Sequence, residues 1–156
     1  MDINIGEKMD EKVIKVSRVS KKTKGGNKVR FAALVVVGDR RGKVGIGLGK
    51  SGDVAAAIAK AVLYAKRRMI VVPIYKDTIP QSIKIKKGAA FILLKPAPQG
   101  TGIIAGGAIR SVIEAAGIRN ISSKILGSSN KSGNAQATFE ALIQLAQMDE
   151  DRKVKV

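Results

Sequence analysis

Gly47, Gly49 and Gly52 form the pattern in this chain that comes closest to a known chemical motif. The spacing G-x-G-x-x-G between a strand and a helix is the fingerprint of a dinucleotide-binding turn, in which glycine lets the backbone approach a pyrophosphate. That turn follows a buried parallel strand and needs an acidic residue about 20 positions further on. The corresponding stretch, 69–73, contains no acid. A small nucleotide-dependent enzyme is therefore an alternative hypothesis with weak support.

The residues Gly49, Lys50 and Ser51 also resemble the end of a phosphate-binding loop. The glycine that opens such a loop is replaced by Val44. Backbone N–H groups, a lysine and a helix N-terminus still favour an anion, and an RNA phosphate qualifies as well as a nucleotide does.

The chain contains neither cysteine nor histidine. Their absence removes thiol catalysis, disulfides, thiolate and imidazole metal ligands, and the usual general base near neutral pH. The acids have structural explanations: Asp39 falls in a turn, Asp53 precedes a helix, and Glu114 and Glu140 fall on polar helix faces. We predict a protein that is not an enzyme and has no cofactor or metal.

Lysine and arginine dominate the charge. The chain has 29 basic and 12 acidic residues, a net charge of +17, whereas solubility of a small domain needs only about 2–8. Between Val13 and Arg68, 15 basic residues are accompanied only by Asp39 and Asp53. Such an excess calls for a nucleic acid. Because aromatic residues make up only 3%, we predict recognition of structured RNA through its shape and backbone, without extensive base stacking.

The first half of the chain predicts three strands. They are Val13–Val19, Val29–Val37 and a stretch in which Val44, Ile46 and Leu48 alternate with glycine. The glycine face leaves room for another backbone. The strands are joined by a polar loop, Ser20–Lys28, and by a hairpin turn, Asp39–Gly42. The loop, the turn and the next helix predict three basic elements around one side of a small sheet.

A helix is predicted at Val54–Arg68, with Asp53 as its N-cap. Its apolar residues predict a single buried stripe. The residues of that stripe are Ala55, Ile58, Ala59, Val62 and Ala65.

The second half predicts a β/α unit after a connector between Pro73 and Pro80. Its strands are expected around Ile83 and Ile85, then at Ala89–Leu94 and Ile121–Leu126. A helix at Ile103–Ala116, closed by Gly117, carries an apolar stripe. The stripe residues are Ile104, Ala108, Val112 and Ile113.

The last predicted helix is Ala135–Met148, with a cap at Ser132 or Asn134. We expect it to bury four residues: Phe139, Leu142, Ile143 and Ala146. The fold class is thus α+β with two domains, at 13–72 and 73–148. An N-terminal extension (1–12) precedes them and a charged tail (149–156) follows them. The first residues show no targeting signal, and no apolar run approaches the roughly 20 residues of a membrane span.

Two long blocks resemble one known family. The first, Gly25 to Ala61, reads GGNKVRFAALVVVGDRRGKVGIGLGKSGDVAAAIAKA and resembles the signature region of bacterial small-subunit ribosomal protein five (S-five). The second, Gln99 to Ile118, reads QGTGIIAGGAIRSVIEAAGI and is similar to that family's other conserved block. The resemblance covers about Lys12 to Met148.

The resemblance implies a first domain like a double-stranded-RNA-binding domain without its first helix, and a β/α second domain with a left-handed crossover. It implies a cytoplasmic protein of the small ribosomal subunit, near the neck between head and body. Its partners would be small-subunit ribosomal RNA and the proteins S-four and S-eight, with no membrane and no homo-oligomer. Roles in assembly and, with S-four and S-twelve, in decoding accuracy follow from the same resemblance.

Individual positions follow from the resemblance too. Lys24, Gly25 and Gly26 match the loop that reaches the RNA of the head near the spectinomycin pocket, although Asn27 replaces a common arginine and Val29 a common aromatic residue. The expected protein interface toward S-four consists of Gly100, Thr101, Gly102 and Arg110.

The residue patterns and the resemblance together predict one set of RNA contacts. The set is Arg18, Lys21, Lys22, Lys24, Gly25, Gly26, Asn27, Lys28, Arg30, Arg40, Arg41, Lys43, Lys50, Ser51, Lys60, Lys66, Arg67, Arg68 and Lys124. An RNA-binding or chaperone-like module outside the ribosome remains a third hypothesis.

Overall fold

The computed structural model describes residues 9–154, so most of the predicted N-terminal extension and the end of the charged tail lie outside the described residues. The first unit contains β1 (Asp10–Thr23), β2 (Gly26–Gly38), β3 (Lys43–Ser51), α1 (Val54–Arg67) and β4 (Ile70–Val71). The second contains β5 (Ile83–Lys87), β6 (Ala90–Pro96), β7 (Ile103–Ile104), α2 (Gly107–Ala116), β8 (Ile121–Ile125) and α3 (Lys131–Val154). The strands form two sheets, in the orders β1-β2-β3-β4 and β5-β6-β8-β7. The predicted α+β class and the two-unit plan are confirmed.

Glycines on β3 allow α1 to lie directly on the first sheet. β2 and β3 are antiparallel, and Gly47 pairs with the buried residue Val35. A β-carbon built on Gly45, Gly47 or Gly49 would overlap backbone atoms of α1. The close approach predicted from the alternation of glycine is therefore confirmed.

The buried stripe of α1 was predicted wrongly. The helix buries Ala57, Ala61 and Ala65. Of the predicted stripe only Ala65 is buried, since Ala55 and Ala59 are exposed and Ile58 and Val62 are half-buried. The reason is the glycine face beneath the helix: the shortest side chains of α1 turn toward it so that the two backbones can approach.

Asp53 occupies the N-cap position of α1, as predicted. Its backbone is extended and its carbonyl oxygen accepts a hydrogen bond from the Ala57 N–H at 3.0 Å. Its side chain makes no capping hydrogen bond.

The predicted loop Ser20–Lys28 is instead a hairpin. β1 continues to Thr23 and β2 begins at Gly26, so only Lys24 and Gly25 form the turn. The antiparallel register continues to its tip, where Thr23 pairs with Gly26. Cross-strand pairing thus overrides a local composition that is typical of a loop.

The other face of the first sheet is buried against the second unit. Leu34 and Ile46 belong to one hydrophobic core together with Ile113 of α2 and Leu142 of α3. The two units therefore share a core, while a smaller core lies between the sheet and α1.

The turn between β2 and β3 connects the units through the backbone. Asp39 Oδ1 accepts hydrogen bonds from the N–H groups of Arg41 and Lys43 at 2.8 and 3.0 Å. The N–H groups of Arg40 and Gly42 in turn donate to the carbonyl oxygens of Ala115 and Ala116, at 3.1 and 2.8 Å. The turn thus satisfies carbonyl groups that the end of α2 would otherwise leave unpaired.

The second sheet is mixed. β5, β6 and β8 are antiparallel neighbours, and β7 pairs with β8 in parallel. Because α2 connects these two parallel strands, a β-α-β crossover is present; its predicted left-handedness stays a prediction.

Helix α2 begins later than predicted. Ile103 and Ile104 form β7, which pairs with β8, and the helix begins at Gly107. Ile104 is consequently exposed, whereas the other stripe residues, Ala108, Val112 and Ile113, are buried as predicted. Gly117 ends the helix in the left-handed conformation, as predicted.

Helix α3 is longer than predicted, and it buries a different face from the predicted one. It runs to Val154, so the described part of the charged tail is helical. The N-cap position precedes the predicted ones, since Asn130 Oδ1 accepts a hydrogen bond from the Ser132 N–H at 3.1 Å. Of the four residues expected to be buried, only Leu142 is; Phe139, Ile143 and Ala146 are half-buried. The residues buried in their place are Asn134, Ala135, Ala137, Thr138, Ala141 and Leu145.

Within residues 9–154, none of the helices combines the length and the apolar character that crossing a membrane requires.

Candidate nucleic-acid interface

The end of the β1–β2 hairpin projects from the sheet as a basic ribbon, which we define as residues 18–30. β3 pairs with β2 only as far as Phe31, so among the described strands β1 and β2 pair only with each other beyond that residue. The side chains of Arg18, Lys22, Lys24 and Lys28 are exposed, as is that of Arg30. Register places Lys21 opposite Lys28 and Lys22 opposite Asn27.

Cations of the ribbon point to both of its sides because side chains alternate along a strand. Arg30 and Lys28 lie on one face of β2, while Arg18 and Lys22 of β1 lie on the other. None of the basic side chains described in the ribbon forms an ion pair with another described residue. A projecting two-stranded element with unneutralised charge on both faces can enter a groove of folded RNA and meet phosphates on either side.

The basic residues of α1 continue this surface from the base of the ribbon. Lys50 pairs with Ala32, two residues along β2 from Arg30. The Lys60 ammonium donates to the Lys50 carbonyl oxygen at 3.3 Å. Lys60, Arg67 and Arg68 line one groove with Lys50. The ribbon, Lys50 and this side of α1 are therefore contiguous.

The turn Asp39–Gly42 does not join that surface. It lies at the opposite end of β2, which is 13 residues long, so at about 3.3 Å per residue the two turns are about 40 Å apart. The prediction that both turns lie around one side of the sheet is wrong. The error arose because loops adjacent in sequence alternate between the two ends of an antiparallel sheet.

Two of the predicted RNA contacts are paired with acids. Arg40 forms an ion pair with Asp10, and Lys66 lies 3.5 Å from Glu11. Arg41 is exposed and Lys43 is half-buried at the same end of the sheet, while Ser51 ends β3 beside the ribbon. The roles of these residues in RNA binding stay predictions.

The outer face of the second sheet carries lysines that the predicted set mostly lacks. Lys84 of β5 and Lys124 of β8 both pair with Leu93 of β6, so the three residues form one row on the face away from the buried Ile92 and Leu94. Lys86 and Lys95 lie on the same face by alternation, and all four lysines are exposed. Only Lys124 was predicted; the alternation of Ile83 and Ile85 with lysine was the signal for the others.

The predicted protein interface lies in the second unit. Gly100 and Gly102 adopt left-handed conformations with φ of 94° and 79°, and Asn120 Oδ1 accepts a hydrogen bond from the Gly102 N–H at 2.9 Å. Arg110 binds Glu114 at 2.8 Å. Arg110 also lines a cavity that includes Ile103, the residue after Gly102. The structure thus brings Gly102 and Arg110 to neighbouring positions, and Thr101 is exposed beside them.

The glycine motif that suggested a nucleotide is used for packing. Gly47 and Gly49 face α1 so closely that no ligand phosphate fits between them, and β3 is antiparallel to β2, whereas a dinucleotide turn follows a parallel strand. This geometry contradicts a dinucleotide-binding turn at Gly47, Gly49 and Gly52, which is the site that the alternative hypothesis of a nucleotide-dependent enzyme requires.

These features define a basic, two-unit α+β protein with a projecting hairpin ribbon whose described cations form no ion pair with a described acid. Residues 9–73 match the family described as ribosomal protein S5, N-terminal domain, and residues 85–155 match ribosomal protein S5, C-terminal domain. The chain belongs to the ribosomal protein S5 family. This is the S-five family that its two long sequence blocks resemble. It is accordingly a structural constituent of the ribosome that binds ribosomal RNA, in a family whose members are generally not enzymes.

Proposed function

We propose that this chain binds small-subunit ribosomal RNA near the neck between head and body, with the ribbon as its principal RNA contact. The observation that carries the proposal is the series of basic residues from the ribbon through Lys50 to Lys60, whose described side chains form no ion pair with a described acid. Phosphate neutralisation releases counterions and makes affinity strongly dependent on salt. The ribbon would order the RNA during assembly of the subunit.

A salt titration of RNA binding tests this role of the ribbon. We compare the full chain with the double variant Lys24→Ala/Lys28→Ala, using folded small-subunit ribosomal RNA as the probe. Each lost phosphate contact lowers the slope of log affinity against log salt by about 0.7–0.9, so the double variant should lose about 1.4–1.8.

The matched control removes the same charge from elsewhere. Lys12→Ala/Lys131→Ala changes two exposed lysines outside the predicted contact set. Its slope should stay within about 0.5 of that of the unmodified chain. Equal losses for the two double variants would show that net charge alone drives binding and would refute the ribbon as a site.

The protein contacts proposed for the second unit rest on the family resemblance. Gly100, Thr101, Gly102 and Arg110 would face S-four and influence decoding accuracy, and S-eight would be a second neighbour. Arg110→Ala should then change stop-codon readthrough in ribosomes while leaving RNA affinity of the free protein unchanged. Co-sedimentation with small subunits in high-salt gradients separates this placement from an RNA-binding module outside the ribosome.

We also propose functional domain limits at 13–72 and 73–148, with 1–12 and 149–156 as terminal segments. The first domain would supply the ribbon, and the second would supply the protein contacts. Their shared core supports a fixed orientation between the two sets of contacts.

A further inference from the structure

The outer edge of β3 is open over most of its length. β3 spans Lys43–Ser51, yet β4 pairs only with Lys43 and Val44. From Gly45 onward, no described strand lies beside β3 on the side away from β2. We define the segment Ile46–Lys50 as the β3 edge.

The direction of each backbone group on this edge follows from the ladder. The Asp39 N–H donates to the Lys43 carbonyl oxygen at 3.1 Å, and the Val72 N–H donates to the Gly42 carbonyl oxygen at 2.6 Å. The backbone N–H and C=O groups of odd-numbered residues of β3 therefore bond to β2, and those of even-numbered residues point away from β2. The N–H and C=O of Ile46 and Leu48 and the N–H of Lys50 point outward, and within residues 9–154 they have no hydrogen-bond partner. The Lys50 carbonyl oxygen accepts a hydrogen bond from the Lys60 ammonium group.

The β3 edge lies at the bottom of a groove of about 960 Å³. Helix α1 forms one wall with Leu63 and Tyr64, which are 56% and 46% exposed. Helix α3 forms the other wall with Phe139 and Ile143. Leu48 of the edge itself is 43% exposed. An unpaired strand that lies between exposed apolar side chains of α1 and half-buried ones of α3 characterises a surface that another chain covers.

The charges at the rim of the groove indicate the charge of the chain that covers it. The basic residues lining the groove are Lys50, Lys60, Arg67, Arg68 and Lys87. Glu140 is the acid among the lining residues, and it lies 4.0 Å from Lys87. Lys50 and Lys60 stand at one end of the edge, and Arg67 and Arg68 stand near β4 at the other.

We propose that the β3 edge binds an extended segment of another protein as an added strand, with apolar residues at its centre and acidic residues at its ends. Five residues of such a segment span about 16 Å, the length of the edge. Its alternate side chains would contact α1 and α3, and its backbone would satisfy the outward groups of Ile46, Leu48 and Lys50. This interaction shares the rim cations Lys50, Lys60, Arg67 and Arg68 with the proposed RNA surface, does not use the ribbon, and lies on a different part of the surface from Gly100–Gly102.

RNA satisfies this edge less well than a peptide does. A peptide strand presents N–H donors and C=O acceptors at the spacing that Ile46, Leu48 and Lys50 require. In RNA the phosphates only accept, and the donors, 2′-hydroxyls and base N–H groups, do not follow the spacing of a strand. A second copy of the chain is disfavoured as well, because pairing two β3 edges would bring two basic rims together.

The test uses the full chain and a synthetic nine-residue peptide with the centre Val-Thr-Val-Ile-Val and two acidic residues at each end. Amide hydrogen exchange is followed residue by residue. Peptide at 1 mM should slow exchange at Ile46, Leu48 and Lys50 by about tenfold when nine-tenths of the protein is bound. Gly47 and Gly49, which already bond to β2, should change little. A uniform change, or none, would overturn the proposal.

Two control peptides separate strand addition from charge. Methylation of alternate backbone nitrogens at the centre blocks the ladder and should abolish protection, as should replacement of the acids by lysine. Equal protection by the methylated peptide would refute an added strand. Protection of the same amides by duplex RNA alone would assign the groove to nucleic acid and refute the protein partner.

A matched pair of variants tests the edge from the side of the protein. Leu48→Pro removes an N–H that points away from β2, which an edge strand tolerates, and should lower peptide affinity about tenfold. Leu48→Ala, which keeps that N–H, should lower it less than threefold. Both variants should bind ribosomal RNA within twofold of the unmodified chain, so that failure here is distinct from failure of the RNA-binding ribbon. If Leu48→Pro unfolds, the methylated peptide still decides the question.

Discussion

Gly47 lies against Ala61 so closely that a β-carbon on the glycine would overlap the alanine carbonyl oxygen. The overlap involves backbone, which cannot move aside as a flexible side chain would. Gly45 and Gly49 make the same approach to Ala65 and Ala57 one helical turn away on either side. The separation of α1 from the first sheet is therefore set by the absence of side chains on β3, and so is the position of the basic residues that α1 carries.

Gly47→Ala should accordingly lower the free energy of unfolding by about 3 kcal/mol, the upper part of the range for overpacking. Urea denaturation followed by circular dichroism measures this loss. Gly52→Ala is the control, because a β-carbon there meets no atom within 4 Å; its effect should stay within about 0.5 kcal/mol. Similar stabilities for the two variants would contradict the close approach.

The sequence predicts the first unit well where periodicity and pairing agree. The strand Val29–Val37 and the helix Val54–Arg68 were located to within a few residues because both combine long apolar patterns with clear end signals. The segment Ser20–Lys28 could not be recognised as strand, since its polar residues are held by hydrogen bonds to another strand. Ile103 and Ile104 were assigned to a helix for a related reason: only parallel pairing with β8 makes them a strand.

The candidate site was predictable in its charge but not in its arrangement. The density of lysine and arginine between residues 13 and 68 identified the ribbon and α1. The order and direction of the strands determine which turns lie at the same end of the sheet. In this sheet Arg40 and Arg41 lie at the opposite end from Lys24. The open edge of β3 depends on how short β4 is, which no local pattern reveals.

The turn at Asp39 provides a second prediction, on the connection between the units. Asp39→Ala removes the acceptor for two backbone N–H groups and loosens the turn whose other N–H groups bond to the end of α2. We expect a loss of about 1–2 kcal/mol in the free energy of unfolding. Asp39→Asn keeps an acceptor oxygen and should lose less than half as much in the same urea titration. Equal losses would show that the carboxylate charge matters more than these hydrogen bonds.

The tip of the ribbon provides a third prediction, because its two glycines differ in backbone conformation. Gly26 has φ of 128°, a conformation that strains a residue with a β-carbon, whereas Gly25 does not have a left-handed φ. Gly26→Ala should therefore speed amide exchange in residues 22–28 and change the global free energy of unfolding by less than about 1 kcal/mol. Gly25→Ala should leave exchange near its original rate. Faster exchange in both variants would indicate that the turn is loose rather than conformationally restricted.

The lysine face of the second sheet provides the last prediction. Lys84, Lys86, Lys95 and Lys124 are exposed on one face and have no ion pair with a described residue. If this face contacts phosphates, Lys84→Ala/Lys124→Ala should lower the salt slope of RNA binding by about 1.4–1.8, as expected for two phosphate contacts. Lys12→Ala/Lys131→Ala again supplies the charge-matched comparison. Combining the lysine-face variant with Lys24→Ala/Lys28→Ala should lower the slope additively, because the two surfaces belong to different sheets and distant sites add. A slope unchanged by the lysine-face variant would restrict the RNA contacts to the ribbon and its continuation on α1.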